Sequence, residues 1–214
     1  MSRGRVAVAA VAVLALIAAL WLRTSLGTPR TADRNAAART AVRATGADVP
    51  PALAPDRLAA LRAAAALDPC PSSIGRDLPD LVLPCLGGGP MVHLRGPGTG
   101  VPTLVNVYGS WCGPCQDEMP TLVTFAGQAG NRVHLLGVDT EDEPSQALPF
   151  AHDYGQHWAA VQDDDKAVLR RYASGPPVTL FVDAAGRTVF VHTGPFRGLA
   201  DLRAAVATHL GVRV

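Results

Sequence analysis

The chain is poor in lysine, aromatic residues, net charge and cysteine. Lys166 is the sole lysine among 19 cationic residues, which, with abundant alanine, says more about genome composition than about chemistry. Aromatic residues make up 5% of the chain, too few for broad base-stacking surfaces. The formal net charge of +1 at pH 7 gives no electrostatic reason to expect nucleic acid or an acidic partner. The four cysteines, Cys70, Cys85, Cys112 and Cys115, include one pair at two-residue spacing. A structural zinc site commonly draws four ligands from two close pairs, so no metal site is expected. What is present is 214 residues, 48% hydrophobic, the length of one domain with an appendage.

Long apolar runs are also scarce, with one exception. Val6 to Leu22 carries no charge, Arg3 and Arg5 precede it, and Arg23 closes it. As a helix it spans about 26 Å, near the lower limit for crossing a bilayer, and Trp21 stands where an interfacial aromatic would stand. Residues 1–23 are therefore read as a signal-anchor or transmembrane segment, with cleavage left open. Residues 24–67, rich in Ala, Arg, Thr and Pro, lack large apolar side chains and read as a spacer. Within them Asp56 is expected to cap a short helix through Leu67, with Leu58, Leu61 and Ala65 along one side.

From Asp68 to Val214 the texture is that of a folded domain. Leu81–Leu83 and Met91–Leu94 read as short strands around the Gly87-Gly88-Gly89-Pro90 turn. Further strands are expected at Thr103–Tyr108, Arg132–Asp139, Trp158–Gln162, Val178–Asp183 and Thr188–Thr193. Helices are expected at Cys112–Gln128, Pro144–Tyr154, Lys166–Tyr172 and Leu199–Leu210. Strands alternating with helices imply an α/β sheet with a parallel portion, and the last two strands add an antiparallel edge. This order fits a thioredoxin-like three-layer sandwich.

Trp111-Cys112-Gly113-Pro114-Cys115 follows an expected buried strand and opens an expected helix. At a helix N-terminus the unpaired N–H groups and the macrodipole favour negative charge. A thiolate at Cys112 is stabilised there, and thiolate is the species that attacks a disulfide. Cys115, further into the first turn, is placed to resolve the mixed disulfide. Pro114 suits the first turn because its missing N–H has no partner there to lose. Gly113 and Pro114 are then the residues that face an incoming substrate.

The stretch from Leu78 to Leu210 resembles the TlpA/ResA/CcmG-like group of membrane-anchored thioredoxins. The matching pieces are NVYGSWCGPCQDEMP at 106–120, LLGVDTED at 135–142 and GPPVTLFVDAAGR at 175–187. The segment between Val138 and Asp164 looks like that group's central αβ insertion. The resemblance implies that Pro177 occupies the cis-proline position facing the cysteines. Pro176 before it offers a carbonyl, without a donor N–H, to an extended substrate. It further implies that Glu118 is the acid/base for Cys115, since Asn106 stands where cytoplasmic thioredoxins carry a buried aspartate and cannot serve. The competing reading makes Glu118 a solvated helix residue, the role expected of Asp117. Trp111 resembles the group's flat apolar contact surface.

Cys70 and Cys85 bracket 14 residues rich in proline and glycine. A structural disulfide is the leading reading, worth roughly 3 kcal/mol in the loop-entropy model and expected only in an oxidising compartment. A second exchanging pair and free thiols are the alternatives. The six histidines form no ligand spacing. Copper delivery would call for a wider cysteine spacing with a partner histidine. Peroxiredoxin-like proteins usually place threonine three residues before the cysteine, where this chain has Gly109. The expectation is an extracytoplasmic thiol:disulfide oxidoreductase that needs no bound cofactor and is held at the cell membrane by a single N-terminal helix. By resemblance it would reduce exported proteins such as apocytochrome c with electrons from a membrane thiol donor. A disulfide-forming oxidase or isomerase, and a non-enzymatic docking module, are the alternatives.

Overall fold

The computed structural model describes residues 53–214. The expected anchor at 6–22 and most of the expected spacer lie outside the described residues. Among the described residues no helix is long and apolar enough to cross a membrane.

A five-stranded sheet organises the domain, built from β4 (Thr103–Tyr108), β5 (His134–Thr140), β6 (Ala160–Asp163), β7 (Val178–Val182) and β8 (Thr188–Thr193) in the order β6-β5-β4-β7-β8. β4, β5 and β6 run parallel, and β7 and β8 add antiparallel neighbours. A second, three-stranded sheet contains β1 (Ser73–Gly75), β2 (Val82–Leu83) and β3 (Val92–Arg95). β1 was not expected: its three residues pair in parallel with β3, a distant partner that no local pattern announces.

The alternation along β4 sorts its side chains between two cores. Val105 and Val107 join Leu136, Val138, Val178 and Leu180 on one face, under α4 (Ala167–Tyr172) and the small sheet. Leu104 and Tyr108 point to the other face, covered by α2 (Gly113–Ala129) and α5 (Leu199–Leu210). There Met119, Leu122 and Phe125 of α2 are fully buried, each contributing about 1.5–3 kcal/mol by removal from water. This packing is what fixes the N-terminus of α2 above the end of β4.

α1 (Pro55–Ala65) packs on α3 (Pro144–Tyr154) through Ala65, Leu58 and Leu61, against Leu86, Ala147 and Leu148. The compact unit therefore runs from Leu53, and the stretch 53–67, read as spacer, is packed. Asp56 does not cap this helix. The N-cap is Ala54, and Pro55, whose φ is already helical, opens the first turn with Asp56 inside it.

The Cys70–Cys85 disulfide joins Cα atoms 6.0 Å apart and ties the segment after α1 to the loop beside β6, where Cys85 bridges Val161. The two cysteines are thus paired with each other; whether the bond is structural or a second exchanging pair is a question of reactivity.

Candidate active site

The chain leaves β4 at Tyr108, turns through Gly109, Ser110 and Trp111, and enters α2 at Cys112. Cys112 is the N-cap of that helix, and the Cys115 N–H donates to its Sγ at 3.2 Å. Cys112 and Cys115 are joined by a disulfide, with Cα atoms 5.2 Å apart. The pair's remaining exposure is on Cys112, at 4% against none for Cys115. Gly113 and Pro114 lie exposed beside it. Trp111, half exposed, stands on the same rim.

Opposite the pair, the Pro176–Pro177 peptide bond is cis, and the Pro176 carbonyl oxygen lies 3.6 Å from Cys112 Sγ. Pro177 is buried, and its carbonyl accepts from the Gly194 N–H at 2.9 Å. The structure thus brings the Pro176 carbonyl against Cys112 Sγ, while the indole of the preceding Trp111 lies over Gly109 and bonds the Thr140 carbonyl.

Glu118 sits one turn along α2 from Cys115 and is 2% exposed, so it is no solvated surface residue. Its Oε1 accepts from Asn106 Nδ2 at 2.9 Å and its Oε2 from the Phe196 N–H at 3.3 Å. Burial pushes its pKa up from 4.5 to about 7, against the opposing pull of these two hydrogen bonds. A carboxyl poised near neutrality can take and return a proton. Asp117 is exposed.

Three features of the site were not foreseen. Gly109 is glycine because the Trp111 indole occupies the space of a side chain: a Cβ there would lie 2.6 Å from Trp111 Nε1. A peroxiredoxin-like threonine does not fit at this position. Ser110 is gripped by Asp142, whose Oδ2 accepts from the Ser110 N–H at 2.6 Å and whose Oδ1 accepts from Ser110 Oγ at 2.9 Å. Asp139 is buried beside it, and burial, then the Asp142 charge, push its pKa to about 9. The sequence signal for Asp142 was hidden in a run that reads as solvated acid, Glu141-Asp142-Glu143, in which both flanking glutamates are exposed and Asp142 is buried.

A hollow of about 450 Å³ lies at the other end of the strands, beside Thr103 and His134, and none of the cysteines lines it. Among the described residues no group of three metal-ligating side chains converges.

A cysteine pair capping a helix, faced by a proline loop on a mixed sheet with a parallel half, defines a thioredoxin-like thiol:disulfide oxidoreductase. The chain belongs to the AhpC/TSA family, which matches residues 74–194. It is 33% identical over 153 residues to the thiol:disulfide interchange protein DsbE homolog of Paracoccus denitrificans, covering 65% of this chain and 82% of that one. It is 30% identical over 126 residues to the thiol-disulfide oxidoreductase ResA of Bacillus subtilis, covering 57% and 68%. A solved thioredoxin-family thiol:disulfide interchange protein from Chlorobium tepidum TLS matches the fold with a TM-score of 0.53 at 21% identity, covering 64% of this chain and 97% of that one.

Proposed function

We propose that this chain is an extracytoplasmic reductant of disulfides in exported proteins, held at the membrane by residues 1–23, with apocytochrome c as the client the group resemblance suggests. The observation that carries the reading is the Cys112–Cys115 disulfide at the start of α2, with the Cys115 N–H on Cys112 Sγ and Cys115 fully buried. A second, separate disulfide at Cys70–Cys85 supports the oxidising compartment, because such bonds persist outside the cytoplasm.

In the reduced protein the Cys112 thiolate attacks one sulfur of the client disulfide. A Cys112–client bond forms and the other client sulfur leaves as a thiolate. Cys115 then gives its proton to Glu118, and its thiolate attacks Cys112 Sγ. The second client sulfur leaves, and Cys112–Cys115 is left oxidised. Two electrons pass to the client, and a membrane thiol donor returns them by the same exchange. The dithiol is itself the redox group in this scheme, which uses no cofactor. The Pro176 carbonyl borders the sulfur where an extended client segment would lie, the exposed Trp111, Gly113 and Pro114 flank Cys112 in the chain, and the buried Pro177 sets the loop that carries the carbonyl.

The reduction potential of the full-length chain in glutathione buffers tests the direction, with Cys70→Ser/Cys85→Ser assigning the couple. A value near thioredoxin's, about −270 mV, is expected. A value near about −120 mV would make the protein a disulfide-forming oxidase. Absence of a titrating couple at Cys112 and Cys115 would leave only a docking role.

A further inference from the structure

We propose that Asp142 is a positioning residue for the exchange, gripping Ser110 so that Cys112 Sγ is held against the first N–H groups of α2. The proposal rests on the reading of Cys112 as nucleophile. Asp142 itself touches neither sulfur.

Every polar group of Ser110 is held. Its N–H and Oγ donate to the two oxygens of Asp142 at 2.6 and 2.9 Å, and its carbonyl accepts from Gln116 Nε2 at 2.7 Å. The next residue is held by the same segment, since Trp111 Nε1 donates to the Thr140 carbonyl at 3.1 Å. The end of β5 thus fixes both residues that precede Cys112. Asp142 is 6% exposed, so its hydrogen bonds to Ser110 are shielded from competing water. What they protect is the alignment of Cys112 Sγ with the Cys115 N–H at 3.2 Å. Stabilisation of a thiolate by helix N–H groups falls off within the first turn, so a loosened approach weakens it.

Positioning and bare charge predict opposite signs. A carboxylate near Cys112 opposes a second negative charge, so its removal alone would lower the Cys112 pKa. Loss of the grip would raise it. The neighbouring Asp139 supplies the control. Burial and the adjacent Asp142 carboxylate push its pKa up to about 9, Asp142 alone of the two bonds Ser110, and asparagine at 139 keeps a donor that can face Asp142, so Asp139→Asn leaves the grip on Ser110 in place.

The test is the pH profile of iodoacetamide alkylation of the reduced full-length chain, with the modified cysteine assigned by mass spectrometry. Asp142→Asn is expected to raise the apparent pKa of Cys112 and slow its alkylation at pH 7 about tenfold, the scale of one lost charge-assisted hydrogen bond. Ser110→Ala should shift it the same way by less, and Asp139→Asn should leave it unchanged. A lower Cys112 pKa in Asp142→Asn overturns the proposal in favour of charge alone. An equal shift in Asp139→Asn overturns it in favour of the acidic pair. If Asp142→Asn does not fold, Ser110→Ala decides, and no change there overturns the grip. Preferential alkylation of Cys115 in the unmodified chain would overturn the nucleophile assignment, and the proposal with it.

Discussion

Glu118→Gln should make the protein more stable and less active at once, and the stability gain should grow as pH rises from 4.5 to about 7 and then level off. The carboxyl has a pKa of 4.5 in ordinary surroundings and about 7 in the fold, chiefly because burial penalises its charge. Between these values the folded state keeps a proton that the unfolded chain has released, so stability falls as pH rises. This contribution is fully present below pH 4.5 and is lost as pH passes through about 7. The difference corresponds to about 3 kcal/mol of penalty carried by the native protein at pH 9. Glutamine carries no charge and keeps an acceptor for Asn106, so the variant escapes the penalty. Below pH 4.5, where glutamate is itself neutral, the two proteins should agree within about 1 kcal/mol. Urea unfolding of both proteins from pH 4 to pH 9 measures this, and subtracting the curves cancels Asp139 and every other shared titration. The exchange rate should fall about a hundredfold, because Cys115 loses its proton acceptor. A stability difference independent of pH would refute the burial argument, and an unchanged exchange rate would refute the assignment as base.

Gly109→Thr should drive the Trp111 indole off its seat and break its bond to the Thr140 carbonyl, with overpacking costing about 1–3 kcal/mol and a shift in tryptophan emission reporting the displacement. Cys70→Ala/Cys85→Ala opens a crosslink of sequence separation 15. It should cost about 3 kcal/mol in thermal or urea unfolding while leaving exchange at Cys112 intact. A loss of exchange would instead reveal a second working pair. Leu61→Ala should destabilise by about 1–2 kcal/mol, below the range for a fully buried leucine because Leu61 is half-buried. No measurable change would mean that α1 adds nothing to the domain.

Elements with strong internal patterns were legible before their partners were known. β4 reads as a strand from TLVNVY because all six residues are buried, and α2 follows because Cys112, Gly113 and Pro114 carry the chemistry of a helix start. The ends of α3, β8 and α5 fell where Pro144, Gly155, Thr193 and Gly211 put them. What was illegible depends on distant contacts. β1 exists through β3, and the stretch before residue 68 joins the domain through the surface of α3. Asp142 differs from Glu141 and Glu143 by facing inward where β5 ends, a fact of geometry that composition does not carry. The resemblance supplied Glu118 and Pro177, and burial distinguished Glu118 from Asp117.

The same geometry bears on direction. Glu118, near pH 7 half protonated, can accept the Cys115 proton when the client is reduced and return it when Cys112–Cys115 is itself reduced. As the proposed acid/base it would speed both half-reactions and favour neither. Direction rests on how well the site tolerates a free thiolate at Cys112. The Cys115 N–H at 3.2 Å favours that charge, while the Pro176 carbonyl at 3.6 Å presents a partial negative charge against it. A site that strongly stabilised the thiolate would hold the dithiol form and act as an oxidant. With a carbonyl opposing the N–H, the thiolate is stabilised less than by the N–H alone, which is the balance that the proposed reductant requires and that the reduction potential tests.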